Sequence, residues 1–124
     1  MKLRVLIVED DRLNAELARD LLEARGHEVE LAPDAVTFRA MVGSGARPHI
    51  VLMDIRLPDG DGVELLHEAR GTLVGIPIVA VTAQALAEER LRLASAGFAA
   101  VMTKPIDTRA FGPEIERLAA VGPR

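Results

Sequence analysis

The segment IVLMDIRLPDGDG, residues 50–62, decides the fold of this chain. Its first four residues are aliphatic without a break, which is typical of a short strand buried on both faces of a parallel sheet. Asp54 follows directly, and the proline and glycines after it predict a tight turn. A carboxylate therefore ends a buried strand, which is where open α/β sheets form their sites.

Four further strands and five helices are predicted around this segment. Leu6–Val8 and Ile78–Val81 are continuous aliphatic runs, and weaker strands are predicted at 29–31 and 99–102. Apolar residues at helical spacing and closing glycines predict helices at 11–25, 33–42, 61–70, 84–96 and 107–121, the last with Pro113 as an alternative start. This alternation of strands and helices predicts a doubly wound α/β fold, with a parallel sheet covered by helices on both faces.

Length and composition restrict the range of functions. A chain of 124 residues suits a single domain over residues 1–124. The net charge of −4, the absence of a basic stripe and an aromatic content of 2% argue against binding to nucleic acid. The chain has no cysteine, and its first apolar run, Val5–Val8, is too short for the core of a signal peptide or for a membrane span. We therefore expect a cytoplasmic protein without membrane contact.

Polar residues follow four of the predicted strands. They are Glu9, Asp10 and Asp11 after the first strand, Asp54 after the third, Thr82 after the fourth, and Thr103, Lys104 and Pro105 after the fifth. Asp11 or Thr82 alone could equally cap a helix, and a lone lysine is usually a solvated surface charge. The joint placement indicates one site at the carboxyl edge of the sheet.

Carboxylates grouped in this way repel one another unless a cation compensates them. Mg²⁺ prefers oxygen ligands and takes one or two carboxylates together with phosphate oxygens. A carboxylate such as Asp54 can attack phosphorus to give an aspartyl phosphate, and Lys104 and Thr82 would supply charge and a hydrogen bond to the phosphoryl group. The site therefore suits phosphoryl transfer.

Four motifs together resemble response-regulator receiver domains over about residues 3–120. The motifs are VLIVEDD at 5–11, LMDIRLPDGDG at 52–62, VTA at 81–83 and TKP at 103–105. The sequence is most similar to stand-alone receivers of the DivK type and to receivers at the ends of hybrid kinases. The resemblance implies a flavodoxin-like (βα)5 fold with the sheet order 2-1-3-4-5.

The resemblance also implies a role for each matching residue. Asp54 would accept a phosphoryl group from a histidine kinase or a histidine phosphotransfer protein, and the domain would then signal to a downstream protein target as a monomer or weak dimer. Such a switch phosphorylates and dephosphorylates itself and is not a conventional enzyme. Mg²⁺ or Mn²⁺ would bind Glu9, Asp10, Asp54 and the backbone carbonyl of Arg56. Thr82 and Lys104 would bind the phosphoryl oxygens.

The resemblance extends to three finer features and fails at one position. It implies a cis Lys104–Pro105 bond and places Arg56 and Gln84 at the two variable positions that tune self-dephosphorylation. The family usually has Tyr or Phe three residues before the lysine, whereas this chain has Val101. A valine cannot swing inward as an aromatic ring does, so we expect the signal to leave through the first helix or through the loops around the acids.

Other functions were weighed against this one. A hydrolase of the haloacid-dehalogenase type would need an acid in place of Arg56 and a cap domain. A nucleotide- or flavin-binding module would need a glycine-rich loop after the first strand. A receiver-like module that acts without phosphorylation, and a receiver cut from a hybrid histidine kinase, remain alternatives.

The side chains outside the motifs predict no second site. We expect the three histidines, His27, His49 and His67, to be structural or solvated. Leu13 is expected to pack in the core with Leu17, with exposure beside the acids as the alternative.

Overall fold

A five-stranded parallel sheet runs through the computed structural model, which describes residues 1–84 and 86–121. Its strands are β1 (Arg4–Val8), β2 (Glu28–Ala32), β3 (Ile50–Asp54), β4 (Ile78–Thr82) and β5 (Ala100–Thr103). They lie in the order β2-β1-β3-β4-β5, and every pairing is parallel. The predicted strands and the order implied by the resemblance are confirmed.

Helices connect the strands and cover both faces of the sheet. They are α1 (Arg12–Glu23), α2 (Ala35–Gly43), α3 (Gly62–Ala69), α4 (Ala87–Ala96) and α5 (Phe111–Val121). Among the described helices, none is long and apolar enough to cross a lipid bilayer.

Three predicted helix starts lie within two residues of the observed ones, and those predicted at residues 84 and 107 lie three or four residues away. The helix predicted from residue 84 begins at Ala87, and the Gln84 amide before it donates to the Thr82 hydroxyl at 3.1 Å; Ala85 lies outside the described residues. The last helix begins at Phe111, between the two predicted starts. Pro113 falls in its first turn, where a missing backbone N–H costs nothing.

Each face of the sheet carries its own aliphatic core. Val51 and Met53 of β3 contribute to one cluster, and Ile50 and Leu52 contribute to the other. Successive side chains of a strand point to opposite faces, so a strand covered on both sides needs an unbroken apolar run. This arrangement explains why β3 is buried along its whole length and why its sequence does not alternate.

The prediction that Leu13 packs in the core is wrong. Leu13 is 77% exposed and Leu17 is 41% exposed. α1 instead buries Ala15, Ala18 and Leu22 against the sheet, so the two leucines lie on its outer surface. Of the alternative, exposure beside the acids, the structure supports the exposure of Leu13.

The tight turn predicted after Asp54 is a short hairpin in which residues 56–57 pair with 60–61. We call residues 56–61 the hairpin. Gly62 closes it by donating its amide to the carbonyl of Ile55 at 2.9 Å. A Cβ at Gly62 would lie 2.7 Å from the carbonyl oxygen of Asp54, which is closer than atoms can approach. Only glycine therefore lets the chain turn back this close to Asp54.

Candidate functional site

Three carboxylates meet at the carboxyl edge of the sheet. Glu9 and Asp10 follow β1, and Asp54 ends the neighbouring strand β3. Each can offer one oxygen, and these three oxygens lie within 4.8 Å of one another. Glu9 and Asp54 are 7% and 5% exposed, whereas Asp10 is exposed. The structure therefore forms the acid cluster that the sequence predicts.

Lys104, which follows the edge strand β5, brings a positive charge to this cluster. Its ammonium Nζ lies 2.7 Å from Oε1 of Glu9 and 3.0 Å from Oδ2 of Asp54. The backbone amide of Lys104 donates to the carbonyl of Thr82 at 2.9 Å, which fixes the residue directly after β5. The Lys104–Pro105 bond is cis, as the resemblance implied.

The pKa values of Glu9 and Lys104 are shifted at this site. Burial raises the pKa of Glu9 from 4.5 to about 7, and the hydrogen bond with Asp54 adds to this rise, while Lys104 opposes it. Burial acts against the charge of Lys104, but its hydrogen bonds to Glu9 and Asp54 prevail and raise the pKa of the ammonium. Like charges confined at one edge of a sheet thus depend on this cation.

Thr82 lies at the same edge and is buried. Thr82 lines one cleft with Asp54 and Lys104. Among the described residues its hydroxyl contacts the Gln84 amide rather than the acids. The oxygen accepts that bond, so the hydroxyl proton remains able to donate into the cleft.

The loop residues around the acids complete the cleft. Arg56 and Gln84 both line it, and the amide of Arg56 donates to Oδ1 of Asp54 at 3.1 Å. Asp11 caps α1 by accepting from the Asn14 amide at 3.0 Å, which confirms the capping alternative for that residue. The Asp11 amide also donates to Oε2 of Glu9 at 3.1 Å.

The acid cluster fits a hard divalent cation. Its donors are carboxylate oxygens on converging side chains, and exposed Asp10 leaves one side of the cleft open to water. Mg²⁺ binds in this way, keeping several water ligands while taking a few carboxylates. Glu9, Asp10 and Asp54 would hold the ion, and the hairpin backbone at Arg56 borders the same cleft.

Val101 and the histidines lie outside the site. Val101 of β5 is partly buried and packs against the core. His27 is buried and contacts Glu116 at 2.6 Å, His49 accepts from the Arg4 amide at 2.8 Å, and His67 is exposed on α3. The expectation of structural or solvated histidines is confirmed.

Sequence reasoning missed one carboxylate next to the site. Asp59, at the tip of the hairpin, accepts from the amides of Ala35 and Val36 at the start of α2. The sequence predicts it only as part of a turn, because a contact across 24 residues leaves no local pattern in the sequence.

Comparison with known proteins agrees with this geometry. Residues 5–116 match the response regulator receiver domain family. The chain is 38% identical over 116 residues to the polar-differentiation response regulator DivK of Brucella anthropi, covering 86% of this chain and 88% of DivK. It is 37% identical over 105 residues to the response regulator MprA of Mycobacterium tuberculosis, covering 85% of this chain but only 45% of MprA. The chain thus spans less than half the length of that relative.

A solved structure gives the same result for the fold. The CheY-like response regulator receiver domain protein of Methanospirillum hungatei superposes with a TM-score of 0.86 at 32% identity, over 95% of this chain and 94% of the other. The sheet order, the acids at the strand ends and the family match all agree. The chain belongs to the response regulator receiver domain family of two-component signalling.

Proposed function

We propose that this domain accepts a phosphoryl group on Asp54 and signals through contacts with other proteins. The observation that supports the proposal most strongly is the position of Asp54. It is buried beside Glu9, within reach of exposed Asp10 and 3.0 Å from the Lys104 ammonium. A carboxylate held among cation-binding groups is suited to attack phosphorus.

The proposed reaction transfers phosphorus from nitrogen to oxygen. An Asp54 carboxylate oxygen attacks the phosphorus of a phosphohistidine, the P–N bond breaks, and the electron pair leaves with the imidazole. Lys104 moves its contact from the carboxylate to a phosphoryl oxygen, and the Thr82 hydroxyl donates to another. Bound Mg²⁺ would neutralise the phosphoryl charge during the transfer. Water later attacks the aspartyl phosphate and releases inorganic phosphate, so the domain resets itself without being a conventional enzyme.

The phosphodonor would be a histidine kinase or a histidine phosphotransfer protein that docks on α1. Leu13 and Leu17 expose apolar surface on this helix. A groove lined by Leu17, Pro105 and Ile106 continues that surface to Lys104 and Glu9. An apolar helix face of the donor would bury these residues and bring its phosphohistidine over the acids.

The output of the domain is proposed to be a protein target rather than nucleic acid. We infer a single cytoplasmic receiver domain over residues 1–124, monomeric or weakly dimeric. A receiver cut from a hybrid kinase is the alternative; MprA, of which the match covers 45%, is a case in which a receiver belongs to a longer chain. The non-aromatic Val101 favours a second candidate, a receiver-like module that acts without phosphorylation.

Phosphorylation should be detectable with small phosphodonors. We expect phosphoramidate and Mg²⁺ to add one phosphoryl group to the protein, because Asp54 is reachable from the cleft. Asp54→Asn should abolish the addition, since an amide is not a nucleophile toward phosphorus. Intact-mass spectrometry measures both. Addition that persists in Asp54→Asn would move the acceptor elsewhere, and no addition to the folded wild type would favour the second candidate.

The stability of the metal-free protein should depend on pH through Glu9. Its carboxyl has a pKa of about 7 in the folded chain and an ordinary value of 4.5. The folded state therefore holds this proton more tightly, so the stabilising contribution is complete below the ordinary value and is lost as the pH rises through about 7.

Glu9→Gln tests this pH dependence, because glutamine resembles the protonated acid and does not titrate. In urea denaturation with EDTA, the variant should gain free energy of unfolding relative to wild type between about pH 5 and about pH 8. Excess Mg²⁺ should offset the loss of free energy of unfolding that the wild type shows as the pH rises. If the difference in free energy of unfolding between the two proteins were the same at both pH values, the raised pKa of Glu9 would be contradicted.

Leu13 tests the docking surface. Leu13→Ser should slow transfer from a phosphorylated histidine phosphotransfer protein that serves the wild type. It should leave phosphorylation by phosphoramidate unchanged, because Leu13 is 77% exposed and lies outside the acid cluster. Leu91→Ser, at a 69% exposed position on α4, is the matched control and should behave as wild type with both donors. Equal slowing by the two variants would remove α1 as the docking face.

A further inference from the structure

Asp59 connects the loop after the phosphoacceptor to a helix that contributes no residue to the acid cluster. Its two carboxylate oxygens accept from the amide of Ala35 at 2.8 Å and from that of Val36 at 3.1 Å. These amides belong to the first turn of α2, where backbone N–H groups have no partner within the helix. One exposed side chain of the hairpin thus holds two otherwise free donors.

The helix does not need Asp59 in order to have a cap. Asp34, the residue before α2, already accepts from the Thr37 amide at 2.8 Å. Asp34 is therefore the local cap, and Asp59 is a second carboxylate that comes from another part of the chain. The hydrogen bond from Ala35 lowers the pKa of Asp59, so the carboxylate stays charged and its bonds persist at neutral pH.

Besides Asp59, the hairpin is anchored by Leu57, which is buried in the core, and by Asp61, which accepts from the Val63 amide of α3 at 2.7 Å. Its strands are two residues each, and Gly62 ties its base to Ile55 at 2.9 Å. At its tip it lies close against α2, because a Cβ built on Gly60 would be 3.0 Å from the Cβ of Ala35. Without Asp59, the tip would have neither a side-chain hydrogen bond to α2 nor a charge facing the helix N-terminus.

α2 is held against the core by its buried residues Ala35 and Phe38. Arg39 of α2 forms a bidentate ion pair with Glu68 of α3, with N···O distances of 2.7 Å and 3.0 Å. α3 itself starts at Gly62, at the base of the hairpin. The hairpin is therefore held from its base by α3 and from its tip by α2.

We infer that Asp59 is a positioning residue for the acid cluster. Asp59 fixes the hairpin on α2, and this contact orders the backbone at Arg56 beside Asp54. Arg56 lines the cleft, and its amide bonds the Asp54 carboxylate at 3.1 Å. A hairpin that drifts from α2 would disorder that bond and the neighbouring carbonyl. The consequence for cation binding rests on the proposed function, whereas the anchoring of the hairpin does not.

Two alanine variants of the full chain separate positioning from simple helix capping. Asp59→Ala and Asp34→Ala each remove a carboxylate from the N-terminus of α2, but only Asp59 belongs to the hairpin. Asp59→Ala should weaken Mg²⁺ binding by about tenfold, in the range found when groups that orient metal ligands are lost. Asp34→Ala should bind Mg²⁺ as tightly as the wild type does, even if its melting temperature falls as much as that of Asp59→Ala. Asp59→Asn keeps one acceptor oxygen and should lie between wild type and Asp59→Ala.

Isothermal titration calorimetry with Mg²⁺ tests the positioning role, and amide hydrogen exchange without metal tests the anchoring of the hairpin. Exchange across residues 56–61 should quicken in Asp59→Ala and stay unchanged in Asp34→Ala. Equal exchange in the two variants would overturn the anchoring role. Faster exchange with unchanged Mg²⁺ affinity would overturn the positioning role. If the wild type bound no Mg²⁺, the metal-assisted function and the positioning role would both fall, and hydrogen exchange alone would decide the anchoring.

Discussion

The contact of one ammonium group with two buried carboxylates is the interaction on which the site depends. Lys104 lies 2.7 Å from Glu9 and 3.0 Å from Asp54, and both acids are almost fully removed from water. Unpaired buried carboxylates would either become protonated or oppose folding. Burial raises the pKa of Glu9 to about 7 even though the Lys104 ammonium lowers it. A divalent cation would supply further positive charge to such a site.

The sheet makes this contact possible. Glu9, Asp54 and Lys104 follow β1, β3 and β5, and parallel pairing brings the carboxyl ends of these strands to one edge. The two aliphatic cores bury both faces of β3, so the position of Asp54 is set by packing over its whole strand. Gly62 then lets the chain fold back against Asp54, and Asp59 holds the tip of the resulting hairpin on α2.

Much of this arrangement could be predicted from the sequence, because it depends on local patterns. Unbroken aliphatic runs mark strands buried on both faces, and the acids, Thr82 and Lys104 directly follow them. Features that depend on distant contacts were missed or misjudged. The Asp59 contact with α2 crosses 24 residues, and the exposure of Leu13 follows from which face of α1 the sheet covers. The start of α5 depended on a proline that the first turn tolerates.

We predict that the acid cluster must be compensated by a cation, with Lys104 in that role when metal is absent. The most direct measurement is the rise in melting temperature caused by Mg²⁺ in the wild type and in Lys104→Met, which keeps the length of the side chain and removes its charge. The metal-free variant should melt at a lower temperature, and Mg²⁺ should raise its melting temperature more than that of the wild type, because the acids then attract the ion without competition from the ammonium. An equal or smaller rise in the variant would contradict the account.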